Sequence, residues 1–196
     1  MSTKISSIQS DLNELKITTR ELVAGCLDKI KDPSGQGSKS FLSISEKEIL
    51  AACDSQDLLR KASVAMPPLA GATISIKDLF DVQGQVTASG SQVLRSYPPA
   101  KEDAEVVSRL RGAGAILMGR TNMTEFAYSG LGLNPHFGTP LNPFERDKKR
   151  IPGGSTSGGA IGVADGMTSA ALGSDTGGSC RIPAALCGLV GYKSTS

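Results

Sequence analysis

Two stretches of small residues hold most of the chemistry available to this sequence. Pro152-Gly-Gly-Ser-Thr-Ser-Gly-Gly159 and Gly173-Ser-Asp-Thr-Gly-Gly-Ser179 both thread hydroxyls through glycines. Glycine turns ahead of a helix leave backbone N–H groups free to face an anion, whether a phosphate or a developing oxyanion. The phosphate reading fails on pattern. Neither stretch has the Lys of a P-loop, and neither has the G-x-G-x-x-G spacing of a dinucleotide turn. The alternative is nucleophilic catalysis, in which a serine hydroxyl needs a base to take its proton and donors to hold the oxyanion. Asp175-Thr-Gly-Gly-Ser179 supplies a hydroxyl at Ser179 and amides close to it.

The base is harder to find. The single histidine, His136, lies between Pro135 and Phe137 in a Gly/Asn/Pro loop, Gly130 to Pro143, which disfavours a Ser-His-Asp triad. A lysine can serve if burial leaves it neutral. Lys77 ends the apolar run Ala72 to Ile76, and alternation sends Asp78 to the other face. On residues alone Lys77 reads as a plain strand-end lysine, so the choice of base stays open.

The elements that must position these groups read as alternating strands and helices. Thr18-x-x-Glu21 forms a capping box ahead of Leu22, Val23, Cys26, Leu27 and Ile30, and Ser45-x-x-Glu48 forms a second ahead of Ile49, Leu50 and Cys53. Asp32 to Ser40 reads as a loop. Beyond Pro67-Pro68 the pattern predicts strands over 72–76, 115–118 and 168–172. Helices are predicted over 103–112, 157–166 and 181–187. That alternation indicates an α/β fold with parallel strand pairs. The apolar pair Leu189-Val190 reads as a further strand-like run whose sheet continues elsewhere.

Composition narrows the function. With 196 residues, 39% hydrophobic and 20% charged, the chain is long enough to bury a core unaided. Its 21 basic and 19 acidic residues, net +2, argue against direct nucleic-acid binding. No apolar run is long enough to span a bilayer, and Met1 to Asp11 is polar, which suits a cytoplasmic protein. Cys26, Cys53, Cys180 and Cys187 contain no C-x-x-C pair, so neither a metal site nor another cofactor is expected.

Four segments resemble the amidase signature family of serine amidohydrolases: Ile74-Ser-Ile-Lys-Asp78, Gly119-Arg-Thr-Asn-Met-Thr-Glu-Phe-Ala127, Gly153 to Gly159, and the long ordered run Ala171 to Lys193. The resemblance implies an α/β amidase signature fold, a central mixed sheet flanked by helices. It also implies a Ser-Ser-Lys triad. In it Ser179 is the nucleophile, and Ser155, after a cis peptide at Gly154, passes a proton to neutral Lys77. The amides of Thr176, Gly177, Gly178 and Ser179 would form the oxyanion hole. Asp175 and Arg181 would brace the nucleophile loop, and Ser157 would act within the glycine loop, structurally or catalytically. Met123 to Tyr128 would line the pocket, with Phe126 and Tyr128 equally readable as core. Cys180 reads as a packing residue.

Family members are more than twice this length, and Ser194 stands where the family usually has proline. The expected organisation is therefore one amidase signature domain over 1–196, with a helical segment at 1–65 and a catalytic core at 66–196, lacking the C-terminal half of the family fold. The expected substrate is a small-molecule amide, and a homodimer or a completing chain would close the fold. The alternatives are the glutaminase component of a tRNA-dependent amidotransferase and a non-catalytic remnant.

Overall fold

The computed structural model describes residues 5–195. Its first third is helical. Helices α1 (Ile5–Asn13), α2 (Thr19–Lys31) and α3 (Gly37–Ser40) lead into strand β1 (Phe41–Ser43), and α4 (Glu46–Lys61) follows. Then come β2 (Thr73–Lys77), α5 (Glu105–Gly112), β3 (Ile116–Thr121), α6 (Ser157–Ala164), β4 (Ala170–Leu172) and α7 (Arg181–Leu186). The four strands form one mixed sheet in the order β1-β3-β2-β4, with β2 parallel to both neighbours and β1 antiparallel to β3.

Burial on both faces explains the composition of the central strand. Every residue of β2 is buried, as expected of a parallel strand covered above and below. The β2–β3 register sets Thr73 beside Ile116 and Ile74 beside Leu117, so paired residues share a face. One face carries Ile116 and Met118 into a core with Val23, Cys26, Leu27, Ile49 and Cys53 from α2 and α4. The other face packs Ile74 and Ile76 against Val82 and Val107, the latter from α5.

Some local readings change. The Thr18 capping box forms as expected, with reciprocal bonds to Glu21, but Ser45 makes no side-chain cap bond at α4. Helix α1 forms in a stretch that reads as polar, because Ile8 and Leu12 share one buried face. The Asp32–Ser40 loop contains α3, and the chain then enters the sheet as β1. That strand is too short to show a period. It fits because Gly119 has no side chain, and a Cβ there would lie 2.4 Å from the Ser43 carbonyl oxygen. Leu189-Val190 is not a strand: the Leu189 amide donates to the Ala184 carbonyl at 2.8 Å and closes the end of α7.

Candidate active site

Lys77 is the last residue of β2, and its side chain is fully buried. Its Nζ lies 2.7 Å from Ser155 Oγ and 2.8 Å from Ser174 Oγ, with the Ser174 carbonyl oxygen at 3.5 Å. Burial brings its pKa down to about 8, against the opposing pull of Cys180 and Asp175. An amine in this setting loses its proton around pH 8, and among the described residues its hydrogen-bond partners are two hydroxyls and one carbonyl.

Ser155 occupies the turn that enters α6. Its peptide bond from Gly154 is cis. Gly154 has no room for a side chain, since a Cβ would sit 2.6 Å from the Gly132 amide nitrogen and 2.7 Å from Thr124 Oγ1. The turn is pinned on both sides: the Gly154 amide donates to the Gly130 carbonyl at 2.8 Å, and the Ser155 carbonyl accepts from Thr124 at 3.1 Å. Ser157, the first residue of α6, is fully buried, and its hydroxyl has no partner among the described residues.

Ser179 lies on the turn before α7. The Thr156 amide donates to the Ser179 carbonyl at 3.2 Å, which ties the two serine loops together through backbone. Among the described residues the Ser179 hydroxyl makes no hydrogen bond, to Ser155 or otherwise. Asp175 organises this loop. Its carboxylate accepts from the amides of Gly178 (2.8 Å), Cys180 (3.0 Å) and Arg181 (3.2 Å), and pairs with the Arg181 guanidinium at 2.8 Å. The Arg181 bonds and these amides hold the carboxyl well below the usual carboxylate range. The Gly178 N–H is thus engaged by Asp175, whereas the amides of Thr176, Gly177 and Ser179 donate to nothing among the described residues.

A cleft of about 400 Å³ opens beside Ser179, bounded also by Tyr128, Ser174, Thr176 and Ile182. Phe126 and Tyr128 are 52% and 92% exposed, so neither is core, whereas Met123 is fully buried and is not among the residues that line this cleft. Burial pushes the Cys180 thiol up, which disfavours the thiolate a nucleophile requires. His136 Nε2 lies 3.1 Å from Glu125 Oε1, and among the described residues it is not a hydrogen-bond partner of Lys77, Ser155 or Ser179. Among the described residues no group of three or more His, Cys, Asp or Glu side chains is placed to hold a metal.

Ser174 is the residue that reading the sequence missed. Its contact depends on β2 and β4 running parallel, with Ile76 beside Leu172. The chain emerging from β4 then passes the end of β2, where Lys77 points. The only local signal is a hydroxyl two positions beyond a strand, which by itself names no partner.

A sheet with a buried lysine and two serine turns at one end defines a class of protein, and comparison shows which. A family model described as Amidase matches residues 21–196, and the chain belongs to the amidase signature family. It is 46% identical over 145 residues to the AtzE component of 1-carboxybiuret hydrolase from Pseudomonas sp. (strain ADP), covering 74% of this chain and 31% of that protein. It is 42% identical over 188 residues to the A component of glutamyl-tRNA(Gln) amidotransferase from Leptospira interrogans, covering 96% of this chain and 38% of that one. Among solved structures, an inhibitor-bound protein complex tied to the origins of an s-triazine catabolic enzyme superposes with TM-score 0.89 at 38% identity, over 94% of this chain and 40% of that one. The native peptide amidase of Stenotrophomonas maltophilia gives 0.83 at 30%, over 95% and 39%. The chain spans between 31% and 38% of the length of these two sequence relatives.

Proposed function

We propose that this chain carries the reacting groups of an amidase that cleaves a carbon–nitrogen amide bond through a serine acyl-enzyme. The observation that carries the reading is the 2.7 Å contact between a fully buried Lys77 amine and the Ser155 hydroxyl. Neutral Lys77 takes the proton of Ser155 as Ser155 takes that of Ser179. The Ser179 oxygen then attacks the amide carbon, and the carbonyl electron pair moves to oxygen. The oxyanion is met by the amides of Thr176, Gly177 and Ser179, with Gly178 in the same turn steadied by Asp175. On collapse the C–N bond breaks, and the leaving nitrogen receives the proton held by Lys77, relayed through Ser155. Water repeats the sequence on the acyl ester and frees the acid. The Ser155–Ser179 hydrogen bond that the relay needs tightens as substrate fills the cleft.

Removing one oxyanion donor typically costs about 3 kcal/mol of transition-state stabilisation, which sets the scale of what these amides contribute. The reading takes a small-molecule amide as substrate and a cytoplasmic setting, in keeping with four free cysteines. It also takes a second chain, either another copy or a completing polypeptide, over the exposed apolar residues beside the cleft. Intact-mass spectrometry of the protein mixed with an activated small amide tests it. A mass increment equal to the acyl group, discharged by hydroxylamine and missing in Ser179→Ala, is expected. No increment on folded protein, or one that persists in Ser179→Ala, would contradict it.

A second reading is supported by the 42% identity over 188 residues to an amidotransferase component. There the same groups would release ammonia from glutamine for use by partner chains. Ammonia release from glutamine alone, and only with such partners added, distinguishes it from a stand-alone amidase.

A further inference from the structure

The residue after Lys77 turns its side chain to the opposite face of the sheet and meets a cation there. Arg120 Nε donates to Asp78 Oδ1 at 2.7 Å, and both side chains are only 3% exposed. The register puts Arg120 beside Ile76 and Thr121 beside Lys77, so the ion pair and the amine stand back to back on the same two strands. Asp78 also accepts from the amides of Gly90 at 2.9 Å and Ala88 at 3.5 Å. Arg120 Nη2 donates to Thr87 Oγ1 at 3.3 Å, and Nη1 has no acceptor among the described residues. Asp78 is therefore the one carboxylate that balances Arg120 among the described residues, and the reaction sequence above uses neither.

The charge near Lys77 is otherwise small. From the loop after β4 it faces Cys180 and Asp175, the latter paired with Arg181. The turn into α6 presents the Ser155 hydroxyl and carries no charged residue from Gly153 to Ser157, and Thr121 of β3 is uncharged. At a separation on the order of 10 Å and an effective dielectric constant of about 20, an uncompensated charge moves an amine by about one pH unit. We propose that Asp78 and Arg120 act as positioning residues for Lys77, pinning the ends of β2 and β3 together while holding the net charge behind the amine at zero. The inference rests on Lys77 being the base.

The test is a direct titration of Lys77 in the whole chain by NMR, using 13Cε-labelled lysine and Lys77→Arg to identify the resonance. Asp78→Asn leaves the arginine unbalanced and is expected to lower the midpoint by about one unit. Arg120→Met leaves the carboxylate, still held by two amides, and is expected to raise it by a similar amount. The double variant returns it to the wild-type value. Shifts of the same sign in both single variants, or no shift in either, would overturn the inference. Unpairing a buried charge can prevent folding, so Arg120→Lys and the double variant stand as further arms. Both are expected to keep the wild-type midpoint, and a displacement of a full unit in either overturns the proposal. Failure of the hydrolase reading looks different: Ser179 stays reactive in Lys77→Ala while the titration behaves as described.

Discussion

Burial and chemistry pull against each other at Lys77. An amine with a pKa near 10.5 in the unfolded chain and about 8 in the fold binds fewer protons when folded between those values. Stability therefore rises with pH from about 8 to about 10.5, and below that window the full penalty is present, up to about 3 kcal/mol. Lys77→Met is accordingly expected to raise the unfolding free energy read from a urea titration at pH 7, by about 1–3 kcal/mol, while abolishing reactivity at Ser179. The gain should shrink towards pH 10. Ser174 gives a second prediction. Its hydroxyl is one of two that fix the amine, so Ser174→Ala should slow acylation about tenfold with little change in melting temperature, and Ser174→Thr should restore most of it. Lys77, Ser155 and Ser179 could be singled out through the family resemblance of the motifs around them, whereas the residues alone left the base open. Ser174 could not, because its partner is set by strand register.

Close approach between elements explains what their periodicity leaves out. Helix α6 enters against the end of α3 and the residue that follows β3: a Cβ on Gly158 would lie 2.3 Å from the Ser40 carbonyl oxygen and 2.7 Å from the Asn122 amide. Gly158→Ala should therefore cost about 1–3 kcal/mol in a denaturant titration, because backbone cannot swing aside as a side chain would. The two serine/threonine caps separate pattern from geometry. Thr18→Ala should cost about 1 kcal/mol, as the loss of a formed cap does, and Ser45→Ala should cost almost nothing. Both sites carry the same spacing in sequence, but only one closes the box. The central strands and helices α2, α5, α6 and α7 were readable within a few residues, since long apolar runs and small-residue helices announce themselves. β1 and α3 were not, being three and four residues held by tertiary contact.

For the molecule as a whole, the exposed side matters as much as the core. Val190 and Tyr192 are 98% and 81% exposed, and Tyr128 stands open at the cleft. β4, the outer strand on that side, has a neighbour on one edge only, and an edge of this kind favours pairing with another chain. Sedimentation velocity should show concentration-dependent association that weakens in a Val190→Glu, Tyr192→Glu variant, and a monomer at every concentration would contradict it. The family and the end of the sheet that carries the serines were legible from glycine-serine motifs spread along the chain, whereas the arrangement of this apolar side was not. The most direct measurement of the central claim is the rate at which a small fluorophosphonate labels Ser179 as pH is raised. A neutral Lys77 predicts a rate that climbs through a midpoint near 8 and disappears in Lys77→Ala. A rate indifferent to pH across that range, or unchanged by the substitution, would contradict the account.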